Sequence, residues 1–333
     1  MTLPPRVAVI FTGGTIGMTA DPAAGGAVPT LDGASLLART GGLATIAEVL
    51  PIDRGRTPAS HFSFADVLAI RAAIDAALAD PGLSGVVVVQ GTDTLEETAF
   101  AWDLLHDDPR PVVVTGAMRT ASDPDWDGPA NLRDAIAAAA DPGLRGAGVV
   151  VAFAGVVHPA DDVVKGHATA LDPFRSPDAG PLGRLVDGRF VAGRAGGPRR
   201  RLGLPAVPPP GPVDLVTAAL DTDGRPIDLA VAAGTCGIVV AATGAGNTHP
   251  DLLRAAVEAM AAGIPVVVAS RTGAGRVGPT YAFPGGGRTW LWAGAILAGA
   301  LTPVKARVAL ALGIGAGLER AGLAALLADP AGS

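Results

Sequence analysis

Cysteine is almost absent from this sequence of 333 residues, which contains only Cys236. A single thiol excludes an internal disulfide and the Cys-x-x-Cys pairs that are typical of zinc sites. The five histidines do not suggest another metal site, because none of them is spaced as HxH or HxxxH. We therefore predict that no metal ion is bound, and we interpret Cys236 as a buried structural thiol.

Charged and aromatic side chains are also scarce, at 17% and 4% of the residues, whereas 49% are hydrophobic. The core must therefore be built from alanine, valine, leucine and isoleucine, and this hydrophobicity argues against disorder. The formal net charge of −6 is unfavourable for binding nucleic acid. The one basic run, residues 199–201, lies in a proline- and glycine-rich stretch, and we interpret it as a solvated loop.

Long apolar runs are missing as well. A membrane-spanning helix needs about 18 or more apolar residues. The longest candidate, residues 290–301, contains two glycines and ends before Thr302 and Pro303. The N-terminal residues lack the basic and apolar segments of a secretory signal. We therefore predict a cytoplasmic protein that does not bind membranes.

The sequence does contain short β-branched runs that alternate with helical patterns. The predicted strands are residues 7–11, 86–90, 111–115, 149–153, 215–219, 238–242 and 265–269, and the predicted helices are residues 64–78, 94–106, 131–140, 249–262, 290–298 and 303–312. Continuous apolar strands between helices are typical of parallel sheets covered on both faces. The sequence therefore predicts an α/β fold.

A stretch rich in proline, glycine and arginine divides this series. We predict a larger N-terminal α/β domain of residues 1–193, a linker of residues 194–212 and a smaller C-terminal α/β domain of residues 213–333. Ligands of open parallel sheets bind beyond the carboxyl ends of the strands. The loops that follow the N-terminal strands are therefore the first candidates for a functional site.

The loop after the first predicted strand has the sequence TGGTIG, at residues 12–17. A dinucleotide-binding GxGxxG loop would need glycine at position 12, where Thr12 stands. Paired glycines allow a substrate to approach the backbone and present N–H groups to an oxyanion. Taken alone, the loop is also compatible with a tight turn in which Thr12 acts as an N-cap.

A second polar loop follows the predicted strand that ends at Gln90, and residues 91–100 have the sequence GTDTLEETAF. Thr94 and Glu97 match a helix-capping box, which would be a purely structural role. Capping does not account for Thr92 and Asp93, a hydroxyl and a carboxylate that precede the cap.

These two loops resemble the TGGTI and GTDTLEETA segments of the bacterial-type L-asparaginase/glutaminase family. Further segments are similar to the family's motifs in the same order: GAMR at residues 116–119, DGPANL at 127–132, VKGHAT at 164–169, GPLG at 180–183, GAGN at 244–247 and KAR at 305–307. The resemblance covers essentially the whole chain. It implies hydrolysis of L-asparagine to L-aspartate and ammonia.

The resemblance also implies which residues catalyse the reaction. Thr12 would be the nucleophile, and Thr92, Asp93 and Lys165 would form a second set in which Lys165 tunes the Thr92 hydroxyl. A threonine hydroxyl needs a base or a strong electrostatic field to act as a nucleophile near neutral pH. A partly desolvated lysine can act as that base. From the residues alone, Lys165 would be a surface lysine paired with the neighbouring Asp161 or Asp162.

Substrate binding follows from the same resemblance. Ser60 would hold the α-carboxylate of the amino acid, and Asp93 would hold the α-ammonium. His61, which replaces the family's usual glutamine or asparagine, would alter how the α-ammonium is held. Backbone N–H groups of Gly13 and Thr92 would form the oxyanion hole. From the residues alone, Ser60 would be the N-cap of the helix at residues 64–78.

The family implies a larger flavodoxin-like N-terminal domain and a smaller C-terminal α/β domain. It also implies a homodimer or homotetramer in which a C-terminal segment of one subunit reaches its neighbour's site, and Asn247 or His249 is the candidate here. No cofactor or metal is expected, because the nucleophile, base and oxyanion donors are all protein groups.

Four departures from the family's pattern bear on function. Many members carry a tyrosine in the loop after TGGTI, but residues 18–38 contain none, and Tyr281 is the only tyrosine in the chain. His61 stands where glutamine or asparagine is usual, and Gly166 replaces a threonine. The segment 271–283, which in some members supplies an acidic residue, contains no carboxylate.

Several alternatives remain open from the sequence. The missing tyrosine is compatible with a non-catalytic amino-acid-binding protein, and a preference for glutamine or for D-amino-acid amides is equally compatible with these motifs. The amidase component of a tRNA-dependent amidotransferase shares the motifs but carries a domain before TGGTI, where this sequence has eleven residues. A dinucleotide-binding oxidoreductase is disfavoured by Thr12.

Overall fold

The computed structural model describes residues 4–330. The chain divides into two compact units with a boundary between Gly197 and Pro198. That boundary falls inside the stretch of residues 194–212 that is rich in proline and glycine. Within the described residues, every helix is too short or too polar to cross a bilayer.

The first unit contains twelve strands and four α-helices among its described residues. The strands are β1 (Arg6–Phe11), β2 (Met18–Asp21), β3 (Gly26–Pro29), β4 (Glu48–Asp53), β5 (Leu83–Val89), β6 (Val112–Thr115), β7 (Val149–Phe153), β8 (Val156–Pro159), β9 (Val164–Lys165), β10 (Phe174–Arg175), β11 (Gly183–Val186) and β12 (Arg189–Ala192). The helices are α1 (Gly33–Thr40), α2 (Phe64–Leu78), α3 (Leu95–Leu104) and α4 (Gly128–Ala140).

Eight of these strands form one sheet in the order β12-β11-β8-β7-β6-β5-β1-β4. Pairing is parallel from β4 through β1, β5 and β6 to β7. It is antiparallel from β7 through β8 and β11 to β12. The predicted α/β class is confirmed, but the sheet is mixed, because Ala154 and Gly155 turn the chain back on itself with φ angles of 50° and 73°. Such positive φ values suit the tight turn of a β-hairpin.

The central strands β5, β6 and β7 are predominantly apolar and buried, as expected of parallel strands in a sheet covered by helices on both faces. Leu132 and Ile136 of α4 share a core with Val87 and Val113 of the central strands. Helices α2 and α3 pack together and contact β5 and β7, respectively. The Trp102 indole of α3 donates a 2.9 Å hydrogen bond to the Val67 carbonyl of α2.

The N-terminus of α2 corrects one expectation from the sequence. Ser63, not Ser60, is the N-cap, and it forms a capping box with Asp66. Ser60 lies one turn earlier, in the 3₁₀ helix Ala59–His61. Its hydroxyl is therefore left for another role.

The second unit contains a parallel sheet in the order β13-β14-β15-β16. The strands are β13 (Val213–Thr217), β14 (Gly237–Ala242), β15 (Val266–Ser270) and β16 (Ile296–Leu297), and the helices are α5 (Arg225–Ala232), α6 (Pro250–Ala261), α7 (Gly287–Ala293), α8 (Pro303–Gly315) and α9 (Arg320–Leu327). The Arg307 guanidinium of α8 donates to the Val213 carbonyl at 2.7 Å and so ties this helix to the edge strand.

Two sequence expectations in this unit are wrong. The helix predicted over residues 290–298 stops at Ala293, because Gly294 adopts φ 99° as its C-cap, and Ile296–Leu297 is a strand. Cys236 is half-buried and not fully buried, and its thiol contacts the carbonyl oxygens of Gly211 and Pro212.

Candidate active site

Thr12 lies directly beyond the carboxyl end of β1 and is only 2% exposed. Its backbone N–H and its hydroxyl both donate to the Val89 carbonyl at the end of β5, at 3.0 and 3.1 Å. The following 3₁₀ helix begins at Thr15 with Gly14 as its N-cap. Interpreting Thr12 as an N-cap is therefore wrong, and its hydroxyl is fixed between two strand ends.

The paired glycines bring this loop against the second polar loop. Gly13 and Gly14 have φ angles of 112° and 100°, a backbone conformation that residues other than glycine rarely adopt. A Cβ on Gly14 would lie 2.4 Å from the backbone nitrogen of Gly91, and a Cβ on Gly13 would lie 2.8 Å from the backbone of Arg56. The loop that carries Thr12 thus packs backbone to backbone against the start of the loop that carries Thr92.

Lys165 connects two other predicted site residues, Thr92 and Asp93. Its Nζ lies 2.9 Å from Thr92 Oγ1 and 2.9 Å from Asp93 Oδ1. Thr92 is 5% exposed, the Lys165 side chain 14% and the Asp93 side chain 68%. The ammonium is therefore largely enclosed, whereas the carboxylate faces an open cavity of about 330 Å³ that Lys165 also lines.

The short strand β9 positions the lysine. Its Lys165 N–H donates to the Glu96 carboxylate of α3 at 3.2 Å, and Lys165 pairs with Phe174 of β10. The predicted surface pairing of Lys165 with Asp161 or Asp162 is wrong, because its ion pair is formed with Asp93. The Asp162 carboxylate instead accepts the backbone N–H of Asp178.

Met118 is a site residue that the sequence analysis did not identify. The Thr92 hydroxyl lies 3.5 Å from its sulfur. The Asp127 carboxylate accepts the backbone N–H groups of Met118 and Arg119 at 2.9–3.1 Å, and it also accepts Asn131 Nδ2 at 3.0 Å. The GAMR and DGPANL segments thus form one unit beside Thr92, and the motif match alone could have drawn attention to Met118.

Ser60 and His61 lie in the exposed 3₁₀ turn next to the second polar loop. The Thr94 hydroxyl donates to the Ala59 carbonyl at 2.9 Å and makes no cap hydrogen bond to α3. The capping box predicted for Thr94 and Glu97 is therefore wrong. The contact has a different consequence, since it fixes the turn that carries Ser60 to the loop that carries Thr92.

The backbone N–H groups of Gly13 and Thr92, predicted oxyanion donors, have no hydrogen-bond acceptor among residues 4–330. Each is therefore available to an oxyanion that enters the site. No group of three or more His, Cys, Asp or Glu side chains within the same residues could hold a metal ion.

The remaining candidates lie in the second unit. Tyr281 is half-exposed, with its ring 5.7 Å from that of Phe283. His249 is the N-cap of α6, where its Nδ1 accepts the Asp251 N–H at 3.3 Å. Asn247 Oδ1 is buried without a hydrogen-bond partner in the described chain. The predicted reach of Asn247 or His249 into a neighbouring subunit stays a prediction.

Comparison with known protein families matches each of the two units to a family of domains. The description "Asparaginase, N-terminal" matches residues 6–194, and "Glutaminase/Asparaginase C-terminal domain" matches residues 212–327. The chain belongs to the asparaginase family. The resemblance identified from the sequence motifs is thereby confirmed.

Full-length asparaginase relatives align with nearly the whole chain. The L-asparaginase of Bacillus licheniformis is 34% identical over 310 residues, which cover 92% of this chain and 94% of the relative. A probable L-asparaginase of Deinococcus radiodurans is 36% identical over 333 residues, 95% of each protein. The crystal structure of a probable cytoplasmic L-asparaginase from Campylobacter jejuni matches with a TM-score of 0.86 at 29% identity, over 97% of this chain and 99% of that one.

Proposed function

We propose that this member of the asparaginase family hydrolyses L-asparagine to L-aspartate and ammonia. Relatives named L-asparaginase align over more than nine tenths of the chain, which supports an amidohydrolase. The observation that carries the proposal is the position of Lys165 Nζ, 2.9 Å from both Thr92 Oγ1 and Asp93 Oδ1. A binding protein would not require an enclosed lysine against a buried hydroxyl.

Thr12 is the proposed nucleophile. Its hydroxyl proton is directed to the Val89 carbonyl, so its oxygen lone pairs remain for attack on the side-chain amide carbon. Attack forms a C–O bond while the Thr12 hydroxyl proton is transferred to the amide nitrogen, and collapse of the tetrahedral intermediate then breaks the C–N bond and releases ammonia. Water then hydrolyses the Thr12 ester to give aspartate and the free hydroxyl.

Thr92, Lys165 and Asp93 form the proposed base. In this step the neutral amine of Lys165 accepts the Thr92 proton across the 2.9 Å contact, and Thr92 takes a proton from the attacking water. The proton held by Lys165 then passes back through Thr92 to the departing Thr12 oxygen as the ester C–O bond breaks. Asp93 holds the lysine in place through its Oδ1. N–H groups of Gly13 and Thr92 bind the developing oxyanion, where preorganised donors stabilise the transition state.

The α-ammonium and α-carboxylate of the substrate are proposed to bind exposed side chains at the edge of the site. Asp93 uses one carboxylate oxygen for Lys165, and its exposed side chain leaves the other for the substrate's α-ammonium. Ser60 is the proposed partner of the α-carboxylate, and His61 beside it is proposed to affect how the α-ammonium is held. Both lie in the turn that Thr94 fixes to the Thr92 loop.

Purified protein is tested by ammonia release from L-asparagine and L-glutamine. Replacing Thr12 or Thr92 by alanine, or Lys165 by methionine, is expected to lower kcat by at least about 10³-fold with the fold retained. Thr45→Ala, at an exposed threonine of the same unit, is the matched control and should keep wild-type activity. Activity of Thr12→Ala within about tenfold of wild type would refute the nucleophile assignment.

A second candidate is an amino-acid-binding protein on the same scaffold. Residues 18–38, which include β2 and β3, contain no tyrosine, and this observation favours it. Saturable binding of asparagine without ammonia release from either amide would establish this alternative. Release of ammonia that is lost with Thr12→Ala would exclude it.

The proposal also includes two domains, residues 1–193 and 213–333, joined by a linker of residues 194–212. We propose further that the protein is a homodimer or homotetramer and that it is cytoplasmic. The family match to residues 6–194 and 212–327 supports these limits. Light scattering of the purified protein tests the oligomeric state, and a monomer that retains full activity would contradict a site shared between subunits.

A further inference from the structure

A second cavity, of about 570 Å³, lies within the first unit and is lined by the β7–β8 hairpin, β10 and β11. It shares no lining residue with the cavity at Asp93 and Lys165. Its volume falls in the range of pockets that hold small organic ligands. The asparaginase reaction as proposed uses none of its residues.

One wall of this cavity is apolar. Phe153 and Phe174 are in edge-to-face contact, with ring centroids 5.1 Å apart and an interplanar angle of 62°. Val156 and Pro181 extend this wall. Both rings are only 2% exposed, so the less buried Val156 and Pro181 supply most of the apolar surface for the hydrocarbon part of a ligand.

The polar part of the lining is basic. The Arg184 guanidinium has no hydrogen-bond or ion-pair partner within residues 4–330. The Arg175 guanidinium, in contrast, is held by the Asp172 carboxylate at 3.0 Å. Asp172 therefore compensates one of the two arginines, and the cavity keeps one uncompensated cation that is suited to a carboxylate.

His158 adds a neutral hydrogen-bonding group. It is buried, and its Nδ1 lies 2.9 Å from the Ser176 hydroxyl, so Nε2 is the ring nitrogen left for a ligand. Burial, with Arg175 and Arg184 nearby, lowers the pKa of His158 to about 4. Arg184, which has no carboxylate beside it in the described part of the chain, therefore gives the cavity a positive charge that a bound anion would neutralise.

We infer that this cavity binds a small organic monocarboxylate, whose carboxylate pairs with Arg184 and His158 and whose apolar body packs on Val156 and Pro181 beside the buried phenylalanine pair. This inference goes beyond the proposed amide hydrolysis and does not depend on it. The carboxylate supplies the negative partner that the Arg184 guanidinium lacks, and the apolar wall favours an organic anion over an inorganic one.

Benzoate is the probe, and isothermal titration calorimetry of the full chain is the measurement. We expect saturable binding at one site per chain, with Arg184→Gln weakening it by about tenfold or more because a charge-assisted contact is lost. Arg189→Gln removes an exposed arginine of the neighbouring strand β12 that does not line the cavity, and it should leave the affinity unchanged. Benzamide, which is uncharged, should bind far more weakly than benzoate.

Three results would overturn the inference. They are no saturable binding up to about 20 mM benzoate, equal binding of benzamide, or equal loss of affinity in Arg184→Gln and Arg189→Gln. Thermal unfolding confirms that each variant is folded. Since binding is measured without turnover, failure of this proposal would be distinct from failure of the asparaginase assignment.

Discussion

Gly14 is the residue at which the site tolerates the least change. Its φ of 100° and the 2.4 Å separation between a built Cβ and the Gly91 nitrogen leave no room for a side chain. We expect Gly14→Ala to lower the free energy of unfolding by at least about 2 kcal/mol and to abolish activity, because the loop carrying Thr12 must move away from the Thr92 loop.

Gly25 offers a matched control for this prediction. It also has a positive φ, 67°, but a Cβ there meets no atom within 4 Å. Gly25→Ala should therefore cost only about 1 kcal/mol and keep kcat. Urea unfolding measures the free energy of unfolding, and ammonia release measures kcat. Equal effects of Gly14→Ala and Gly25→Ala would show that the contact between the Thr12 and Thr92 loops does not cause the losses.

At the scale of elements, the Asp127 carboxylate holds the start of the loop between β6 and α4 in place. Asp127 accepts the N–H groups of Met118 and Arg119 and the Asn131 amide, and Met118 contacts the Thr92 hydroxyl. We expect Asp127→Ala to lower the free energy of unfolding by about 2–3 kcal/mol and kcat by about tenfold or more.

Asp123 in the same loop is the control. Its carboxylate accepts only the Thr120 N–H and hydroxyl, at 2.7 and 2.8 Å. Asp123→Ala should lower the free energy of unfolding by less than Asp127→Ala does and leave kcat near that of the wild type. Chemical unfolding combined with steady-state kinetics separates the two losses. A wild-type kcat in Asp127→Ala would remove this loop from the site.

The β8 strand carries His158, a buried histidine whose pKa affects folded stability in acid. The pKa of His158 falls from its ordinary 6.5 to about 4, first because of burial and then because of Arg175 and Arg184. The unfolded chain therefore binds more protons between these two values, and folded stability falls as the pH falls through them. The contribution is about 3 kcal/mol, present above pH 6.5 and lost below about pH 4.

His158→Gln should remove this contribution to the slope of stability against pH. Urea unfolding at several pH values in that window measures the slope, and Asp172 and Ser176 remain in place in the variant. His61→Gln, at an exposed position, is the control for loss of a histidine. An unchanged slope in His158→Gln would mean that the imidazole is not held neutral by its surroundings.

For the whole molecule, most of the parallel strands of the two main sheets follow from the sequence, but β4 and β16 were not predicted. The predicted strand 149–153 and helix 64–78 coincide with β7 and α2, because continuous apolar runs and 3.6-residue periodicity leave little alternative. The antiparallel end of the large sheet did not follow, since it depends on Ala154 adopting φ 50°, a conformation that alanine rarely takes.

The candidate site could be predicted only in part, for a different reason. The Lys165 contacts with Thr92 and Asp93 span 73 and 72 residues, so no local pattern indicates them, and only the family resemblance placed these residues together. The surface-pair interpretation of Lys165, based on neighbours in sequence, was wrong for the same reason. Ser60 and Thr94 were misjudged because capping rules do not describe contacts between loops.

The identity of the nucleophile is the central claim, and a covalent intermediate tests it most directly. The protein is mixed with L-asparagine, quenched with acid during turnover, digested and examined by mass spectrometry. We predict an aspartyl ester on the peptide that contains Thr12, and none in Thr12→Ala. An ester on the Thr92 peptide, with the Thr12 peptide unmodified, would contradict this mechanism.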